Sequence, residues 1–233
     1  MAESVYYIAK HEPSDVQCRK GFAIDPKAVA DLIRRARRPL LVTGGKLLED
    51  DRLVDFACEF NKKGIPIIAT GASSKPLFAR GVKPVFYSRT LHYVVQYLLD
   101  GEWELGGDLI LFLGFSYPYL SRMLSALKHF STITTVSLDC YQPNATYSLT
   151  DFALIIRDDV CIGCGNCVVV CPYNAIELYQ SRIKDGRRIV IDVRFCGECE
   201  YVYCTDSCPY KALEFVKGGE VVYRSLREII DNI

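Results

Sequence analysis

Cys161-Ile162-Gly163-Cys164-Gly165-Asn166-Cys167-Val168-Val169-Val170-Cys171-Pro172 sets four thiols at C-x₂-C-x₂-C-x₃-C spacing and closes on a proline. A second group follows: Cys196-Gly197-Glu198-Cys199, four intervening residues, then Cys204-Thr205-Asp206-Ser207-Cys208-Pro209. The likeness runs past the cysteines, with CPYNAIEL from Cys171 and CPYKALEF from Cys208. One unit therefore occurs twice, and a pseudo-two-fold module is expected. Of 11 cysteines in the chain, only Cys18, Cys58 and Cys140 lie outside these groups. A disulfide framework needs an oxidising compartment, and the opening MAESVYYIAK has no basic segment leading into an apolar run. Thiols clustered in this way point to metal.

The run C-x₂-C-x₂-C-x₃-C-P is the one by which bacterial-type ferredoxins hold [4Fe–4S] clusters. Iron in such clusters is soft and takes thiolate sulfur. Three cysteines on one tight loop grip three corners of a cube. The fourth lies too far round to close the same cube easily, and in two-cluster ferredoxins it ligates the other one. The expected sets are Cys161, Cys164, Cys167 and Cys208 for one cluster, and Cys196, Cys199, Cys204 and Cys171 for the other. Gly163, Gly165 and Gly197 would let the loop backbone approach and offer N–H groups to sulfur. Pro172 and Pro209 suit a helix start, where a missing N–H costs nothing. Zinc is the competing reading of paired C-x₂-C motifs. It requires neither the triple run nor the duplicated C-P-Y-[NK]-A-[IL]-E, so iron–sulfur is the expectation. The longer gap from Cys199 to Cys204 enlarges one loop without removing a ligand. Glu198, Glu200 and Asp206 surround the second group, as a solvated loop or as negative charge that disfavours reduction or docks a basic partner. His11, His92 and His129 are scattered and form no acid–base constellation, and Cys18, Cys58 and Cys140 read as ordinary thiols.

Upstream, the pattern is different. Asp25 is a good helix N-cap with Pro26 behind it, and Val29, Leu32, Ile33 and Ala36 recur at helical spacing. Arg34, Arg35, Arg37 and Arg38 crowd the end of that helix as a solvated, dipole-complementing face. A strand at Pro39–Val42 runs into Thr43-Gly44-Gly45. A helix with Leu53, Phe56, Ala57 and Phe60 on one face ends near Gly64. Strand Ile65–Ala69 runs into Gly71, helix Ser88–Leu99 follows, strand Leu109–Leu113 ends at Gly114, a helix opens at Pro118, and strand Ile133–Leu138 follows. Apolar strands alternating with one-sided helices predict an α/β doubly wound parallel sheet over residues 25–150. Leu154–Val160 suits either the last strand of this domain or the first of the next. Gly44, Gly45, Gly71 and Gly114 fall just after strands, at the edge where such sheets bind nucleotides or FAD. Glycine is also the default for a tight strand-to-helix turn and no G-x-G-x-x-G is present, so simple turn chemistry stands beside a cofactor role.

Two domains are expected, residues 1–152 and 153–233, the second an α+β 2[4Fe–4S] ferredoxin-like domain. No Gly/Ser/Pro-rich linker separates them. Lys plus Arg and Asp plus Glu balance at 28 each, which offers no basic patch for nucleic acid and no acidic tail. The densest apolar stretch, Leu109–Phe115, is far too short to span a bilayer. A cytoplasmic chain is the expectation.

Residues from about 25 to 150 resemble the ε subunit of the archaeal carbon monoxide dehydrogenase/acetyl-CoA synthase (decarbonylase) complex. The carrying stretches are RRPLLVTGG from Arg37 and LILFLGFSYPYLSRMLSALKHFSTITTVSLDCYQPNATYSL from Leu109, with QPNATYSL (Gln142–Leu149) the most telling. The resemblance implies a small, non-catalytic subunit that binds the large α subunit carrying the nickel–iron–sulfur site, in an α₂ε₂ assembly. It implies a fold similar to the nucleotide-binding middle domain of thiamine-dependent enzymes, and a supposed role in flavin binding or electron passage. Members of that family usually stop where the cysteine-rich module begins here. The combined expectation is an accessory electron-transfer subunit relaying electrons of CO/CO₂ interconversion to or from an external ferredoxin or flavin-bearing reductase. Two other readings are a self-contained flavoenzyme with FAD on the glycine turns, and a scaffold whose clusters are structural.

Overall fold

Leu109–Leu113 is buried at every position and lies beside Pro39–Thr43 in parallel register, Leu41 opposite Leu111. A strand apolar on both faces needs a layer of helices on each side, and that requirement shapes the larger part of the molecule. The computed structural model describes residues 3–7, 21–100, 107–180, 186–192, 196 and 203–233. In chain order the elements are β1 (Glu3–Tyr7), β2 (Phe22–Ala23), α1 (Pro26–Arg35), β3 (Pro39–Thr43), α2 (Asp51–Lys62), β4 (Ile67–Thr70), α3 (Ser74–Ala79), β5 (Phe86–Arg89), α4 (Leu91–Asp100) and β6 (Leu109–Leu113). There follow α5 (Tyr117–Phe130), β7 (Thr134–Ser137), β8 (Tyr147–Ser148), β9 (Phe152–Arg157), α6 (Asn166–Val170), β10 (Ile176–Gln180), β11 (Arg187–Ile191), α7 (Tyr203–Asp206), β12 (Leu213–Lys217) and α8 (Gly219–Asp231).

The chain divides into two compact units, one of Ser14–Leu149 with Val222–Ile233, the other of Met1–Pro13 with Thr150–Val221. Each unit thus takes in one end of the chain from beyond its main segment. The first unit is a seven-stranded parallel sheet in the order β2-β8-β7-β6-β3-β4-β5. Period-two alternation splits its strands between two cores. Leu41, Ile67, Leu109, Leu111 and Leu113 pack with α1, α2, α3 and α8, while Leu40, Val42, Ile68, Ile110 and Phe112 pack with α4 and α5. The doubly wound α/β expectation therefore holds. Helix α1 begins as its sequence predicts, with the Asp25 side chain accepting the Ala28 N–H at 2.9 Å and Pro26 at the first position. At the C-terminal end of α2, Gly64 adopts φ +88.

Two features differ from the sequence reading, and one that it left open is resolved. The helix expected from Ser88 starts at Leu91, because Phe86–Arg89 pairs with β4 as an edge strand, and Ser88 takes φ 63 where the register shifts. Sheet pairing outweighs local pattern there. The ambiguous stretch from Leu154 belongs to the second unit, where β9 is the middle strand of the antiparallel sheet β1-β9-β12. The C-terminal helix has no counterpart in the sequence reading, yet Val222, Leu226, Ile229 and Ile230 complete the first core. Its polar contacts are as specific. The Tyr223 hydroxyl donates to Asp50, its ring stacks on Phe56 at 6.1 Å, and the Arg52 guanidinium sits 3.9 Å above it. Arg227 reaches both Glu59 carboxylate oxygens, at 2.5 and 3.1 Å. Among the described residues no helix is long and apolar enough to cross a membrane.

Leu226 is fully buried in α8, so Leu226→Ala is expected to cost the α/β unit about 2–5 kcal/mol. Differential scanning calorimetry should show the transition of that unit moved down; an unmoved transition would mean the helix is not part of its core.

Candidate metal centre

The second unit is built on a strand pairing that occurs twice. β9 leads into the first cysteine run and β12 leaves the last cysteine of the second, and they pair antiparallel with Ile156 opposite Leu213. β11 leads into the second run and β10 leaves the last cysteine of the first, and they pair with Ile191 opposite Ile176. Ile156 and Ile191 each stand five residues before the first cysteine of a run, and Leu213 and Ile176 each five after the last. The same register in both halves carries Cys208 toward the first run and Cys171 toward the second.

Cys161, Cys164, Cys167 and Cys208 accordingly line one pocket, with Ile162, Gly163, Gly165, Ile189, Tyr210, Ala212 and Leu213. Cys161, Cys167 and Cys208 are buried and Cys164 is exposed. Cys171, Cys196 and Cys204 pack against the same apolar cluster of Leu154, Ile156, Ile176, Ile189, Ile191 and Leu213. Cys199, Gly197, Glu198 and Glu200 lie outside the described residues, as do Cys18 and His11. The two halves match in detail. The Ala175 N–H donates to Cys171 Sγ at 3.3 Å and the Ala212 N–H to Cys208 Sγ at 3.3 Å. Asn174 and Lys211, each three residues after the last cysteine of its run, adopt φ 50 and φ 48. Each Cys-Pro-Tyr turn thus swings the chain round and aims a backbone donor at sulfur. The expected helix starts at Pro172 and Pro209 are turns instead, since the chain must enter β10 and β12 within a few residues.

Electrostatics couples the thiols within each set and, through Cys167 and Cys204, between them. Burial pushes Cys167 up to about 11, with Cys161, Cys164 and Cys204 adding to the shift. Burial pushes Cys204 up to about 11, with Cys196 and Cys171 adding to it. Thiolates crowded in an apolar shell repel one another and lose hydration, so they ionise together only round positive charge. Iron would supply that charge, and a sheltered, all-sulfur donor set suits a soft metal. Among the described residues no three Cys, His, Asp or Glu side chains converge on a point for a single ion. Gly163 shows how tightly the first loop is held. It adopts φ +67, and a Cβ there would stand 2.2 Å from the Arg187 carbonyl oxygen in β11.

The four glycines proposed for a nucleotide or FAD lie at the C-terminal edge of the parallel sheet. β3 and β6 flank the point where strand order reverses, the usual ligand crevice of such folds. There Gly44 and Gly114 pack backbone to backbone: the Gly44 N–H donates to the Leu113 carbonyl at 2.9 Å, and a Cβ on Gly44 would meet the Gly114 carbonyl at 2.4 Å. A Cβ on Gly114 would strike Leu47 at 2.5 Å. Gly45 and Gly71 open short 3₁₀ turns, Gly45–Leu48 and Gly71–Ser73. The sequence reading passed over Asp139 at this edge. It is buried, accepts the Gly114 N–H at 3.2 Å, and faces Lys46 Nζ at 3.5 Å. Burial pushes its carboxyl up, with the Lys46 charge opposing. Its only signal was a lone acid after an apolar strand. Cys58 is a buried thiol of α2, raised chiefly by burial.

The two thiol neighbourhoods and the parallel sheet define an iron–sulfur protein built on a doubly wound α/β scaffold. Residues 15–154 match the family described as CO dehydrogenase beta subunit/acetyl-CoA synthase epsilon subunit, and residues 160–221 match the 4Fe-4S dicluster domain. The chain belongs to that epsilon-subunit family and carries a 4Fe–4S dicluster domain at its C-terminal side. It is 54% identical over 145 residues to the acetyl-CoA decarbonylase/synthase complex subunit epsilon 1 of Archaeoglobus fulgidus, spanning 59% of this chain and 79% of that one. The corresponding epsilon subunit of Methanothrix soehngenii is 40% identical over 122 residues, 50% of this chain and 65% of its own. Epsilon 1 of Methanosarcina barkeri is 35% identical over 132 residues, 54% of this chain and 76% of its own.

Gly163→Ala forces a side chain into strained backbone and against the Arg187 carbonyl. The variant is expected to lose roughly half its iron, measured by metal analysis after anaerobic purification, while Gly45→Ala, with open space at its Cβ, keeps all of it.

Proposed function

We propose that the chain is an accessory electron-transfer subunit of an acetyl-CoA decarbonylase/synthase complex. Its α/β unit docks on the nickel–iron–sulfur α subunit, in an α₂ε₂ core. Its dicluster unit relays electrons between that subunit and an external ferredoxin or flavin-bearing reductase. The observation that carries the reading is the union, in one chain, of an epsilon-family unit with two neighbourhoods of clustered thiols, three of them buried. The reaction served is CO + H₂O giving CO₂, two protons and two electrons, or its reverse. A pair of one-electron centres matches the electron count.

Cys161, Cys164, Cys167 and Cys208 hold one [4Fe–4S] cluster, and Cys196, Cys199, Cys204 and Cys171 hold the other. The shared pocket of the first set and the mutual influence of Cys204, Cys196 and Cys171 support this crossing. When bound, each cluster supplies a one-electron centre. The Ala175 and Ala212 N–H groups donate to ligand sulfur and so favour the reduced, more negative state. Ile176, Ile189, Ile191 and Leu213 keep water from the thiolates.

Anaerobic pull-down of the chain is expected to bring down a large nickel-containing subunit. Recovery of the chain alone, with its own iron intact, would sink the assignment to the complex. Cys164→Ser should leave about four irons of the roughly eight that two cubes require, with partner recovery unchanged; full iron content in that variant would refute the ligand set.

A further inference from the structure

The two halves of the dicluster unit match in backbone and oppose each other in charge. Cys161 donates its N–H to the Arg157 carbonyl at 2.9 Å, and at the equivalent place Cys196 donates to the Asp192 carbonyl at 3.1 Å. Lys211, in the left-handed turn after Cys208, answers to Asn174 after Cys171. Asp206, two residues before Cys208, answers to Val169, two before Cys171. β11 adds two more cations on the first side. The Arg187 carbonyl lies against Gly163, and Arg188 Nη1 donates to that same carbonyl at 3.0 Å. Near the first thiol set, in sequence or across β11, are Arg157, Arg187, Arg188 and Lys211, against Asp158 and Asp159 just before Cys161; near the second in sequence are Asp192, Glu198, Glu200 and Asp206, against Arg194. Asp158 is itself engaged by the Ser4 hydroxyl at 2.7 Å.

The first set also presents exposed groups at its edge. Of the seven described cysteines in the two runs, Cys164 alone is exposed. Beside it on the pocket are Ile162, 55% exposed, and Tyr210, 48% exposed. An exposed apolar spot beside a ligand sulfur, with Arg187 and Arg188 of β11 adjoining the loop and Lys211 next to Tyr210 in the chain, is the form of a small, transient electron-transfer interface.

We infer that the face made by Ile162, Cys164 and Tyr210, with Arg187, Arg188 and Lys211 adjoining it, is where the chain meets its external carrier, and that this carrier is a small acidic one-electron protein. The inference rests on the relay reading above and names its outer end. Positive charge round the first set favours the more negative, reduced cluster there, and Asp192 and Asp206 disfavour it at the second. An electron inside the unit therefore settles at the first set, beside the exposed sulfur. Each electron given up oxidises the first cluster by one and reduces one oxidised carrier molecule by one. The pair from each CO thus takes two carrier encounters.

The test uses the full chain, purified anaerobically with its iron, and compares it with Arg187→Gln/Lys211→Asn and with Asp206→Asn. Asparagine suits the left-handed backbone at Lys211. Iron content and the electron paramagnetic resonance signals of the reduced clusters are checked first. Stopped-flow then follows oxidation of the reduced protein by an acidic 2[4Fe–4S] ferredoxin, and by lumiflavin as a neutral small acceptor. At low salt the double variant is expected to react with the ferredoxin about tenfold more slowly, the gap closing near 1 M salt. Its rate with lumiflavin should stay as in the parent, and Asp206→Asn, which removes negative charge beside the second set, should alter the reduced-cluster signals while leaving the salt dependence of the ferredoxin reaction as in the parent. An unchanged ferredoxin rate in the double variant would overturn the inference, as would a fall confined to Asp206→Asn or an equal fall with lumiflavin. A chain that lacks about eight irons or fails to recover a nickel subunit would instead overturn the relay reading itself.

Discussion

The dicluster unit depends on one strand register used twice. Ile156 opposite Leu213 and Ile191 opposite Ile176 fix how far each departing strand slides along its partner. A slip of one residue would turn Leu213 and Ile176 out of the core, since neighbouring side chains in a strand face opposite ways. It would also draw Cys208 and Cys171 away from the runs they meet. Both demands, apolar burial and sulfur placement, are met by the same register. Metal binding and folding are coupled for that reason. Thiols pushed up to about 11 by burial and by one another resist ionising, and the charge that relieves them holds the strands in place.

The α/β unit meets a different constraint. Its central strands are buried on both faces, so each side needs a helical layer. On the side of α1 and α2, part of that layer comes from the last residues of the chain, Val222–Ile233. The dicluster segment is thus an insertion between two parts of one core, with chain connections at both of its ends. At the other functional edge, Gly44 and Gly114 close β3 on β6 at a separation only glycine permits. That contact gives two of the four glycines picked out by sequence a packing role.

The parts legible in sequence share a cause. Period-two and period-3.6 patterns, an Asp-Pro helix start and a cysteine run are short-range signals, and they located α1, α2, β3, β6 and both thiol groups. What escaped was set at long range. Ser88 sits in a helix-like stretch but is held in an edge strand by pairing with β4. Glu3–Tyr7 carries no decisive pattern of its own and becomes a strand because β9 offers it an open edge. Val222, Leu226, Ile229 and Ile230 do have helical spacing, yet nothing local says that their partners lie in α1 and α2. Arg187 was invisible as a site residue for the same reason: its backbone meets Gly163 only after the β10–β11 hairpin has formed. The charge contrast between Arg157 and Asp192 was printed in the sequence, but it acquires meaning only once the repeated N–H to carbonyl bond shows the two positions to be equivalent.

Fusion changes which step in a relay is costly. A separate ferredoxin must find the catalytic subunit by diffusion at every turnover. A pair of clusters carried on a docked subunit stays at a local concentration in the millimolar range by virtue of its chain connections. The encounter that still needs diffusion is the one at the outer end, and that is where steering charge has an effect on rate. A face turned to a free carrier should therefore be charged and open, and a face turned inward need not be. On the relay proposed above, the exposed Cys164 would belong to that outer face. Two identical halves would have served a symmetric shuttle. The repeated register gives the halves equal backbones, and the differing residues, Arg157 against Asp192 and Lys211 against Asn174, give them unequal charge.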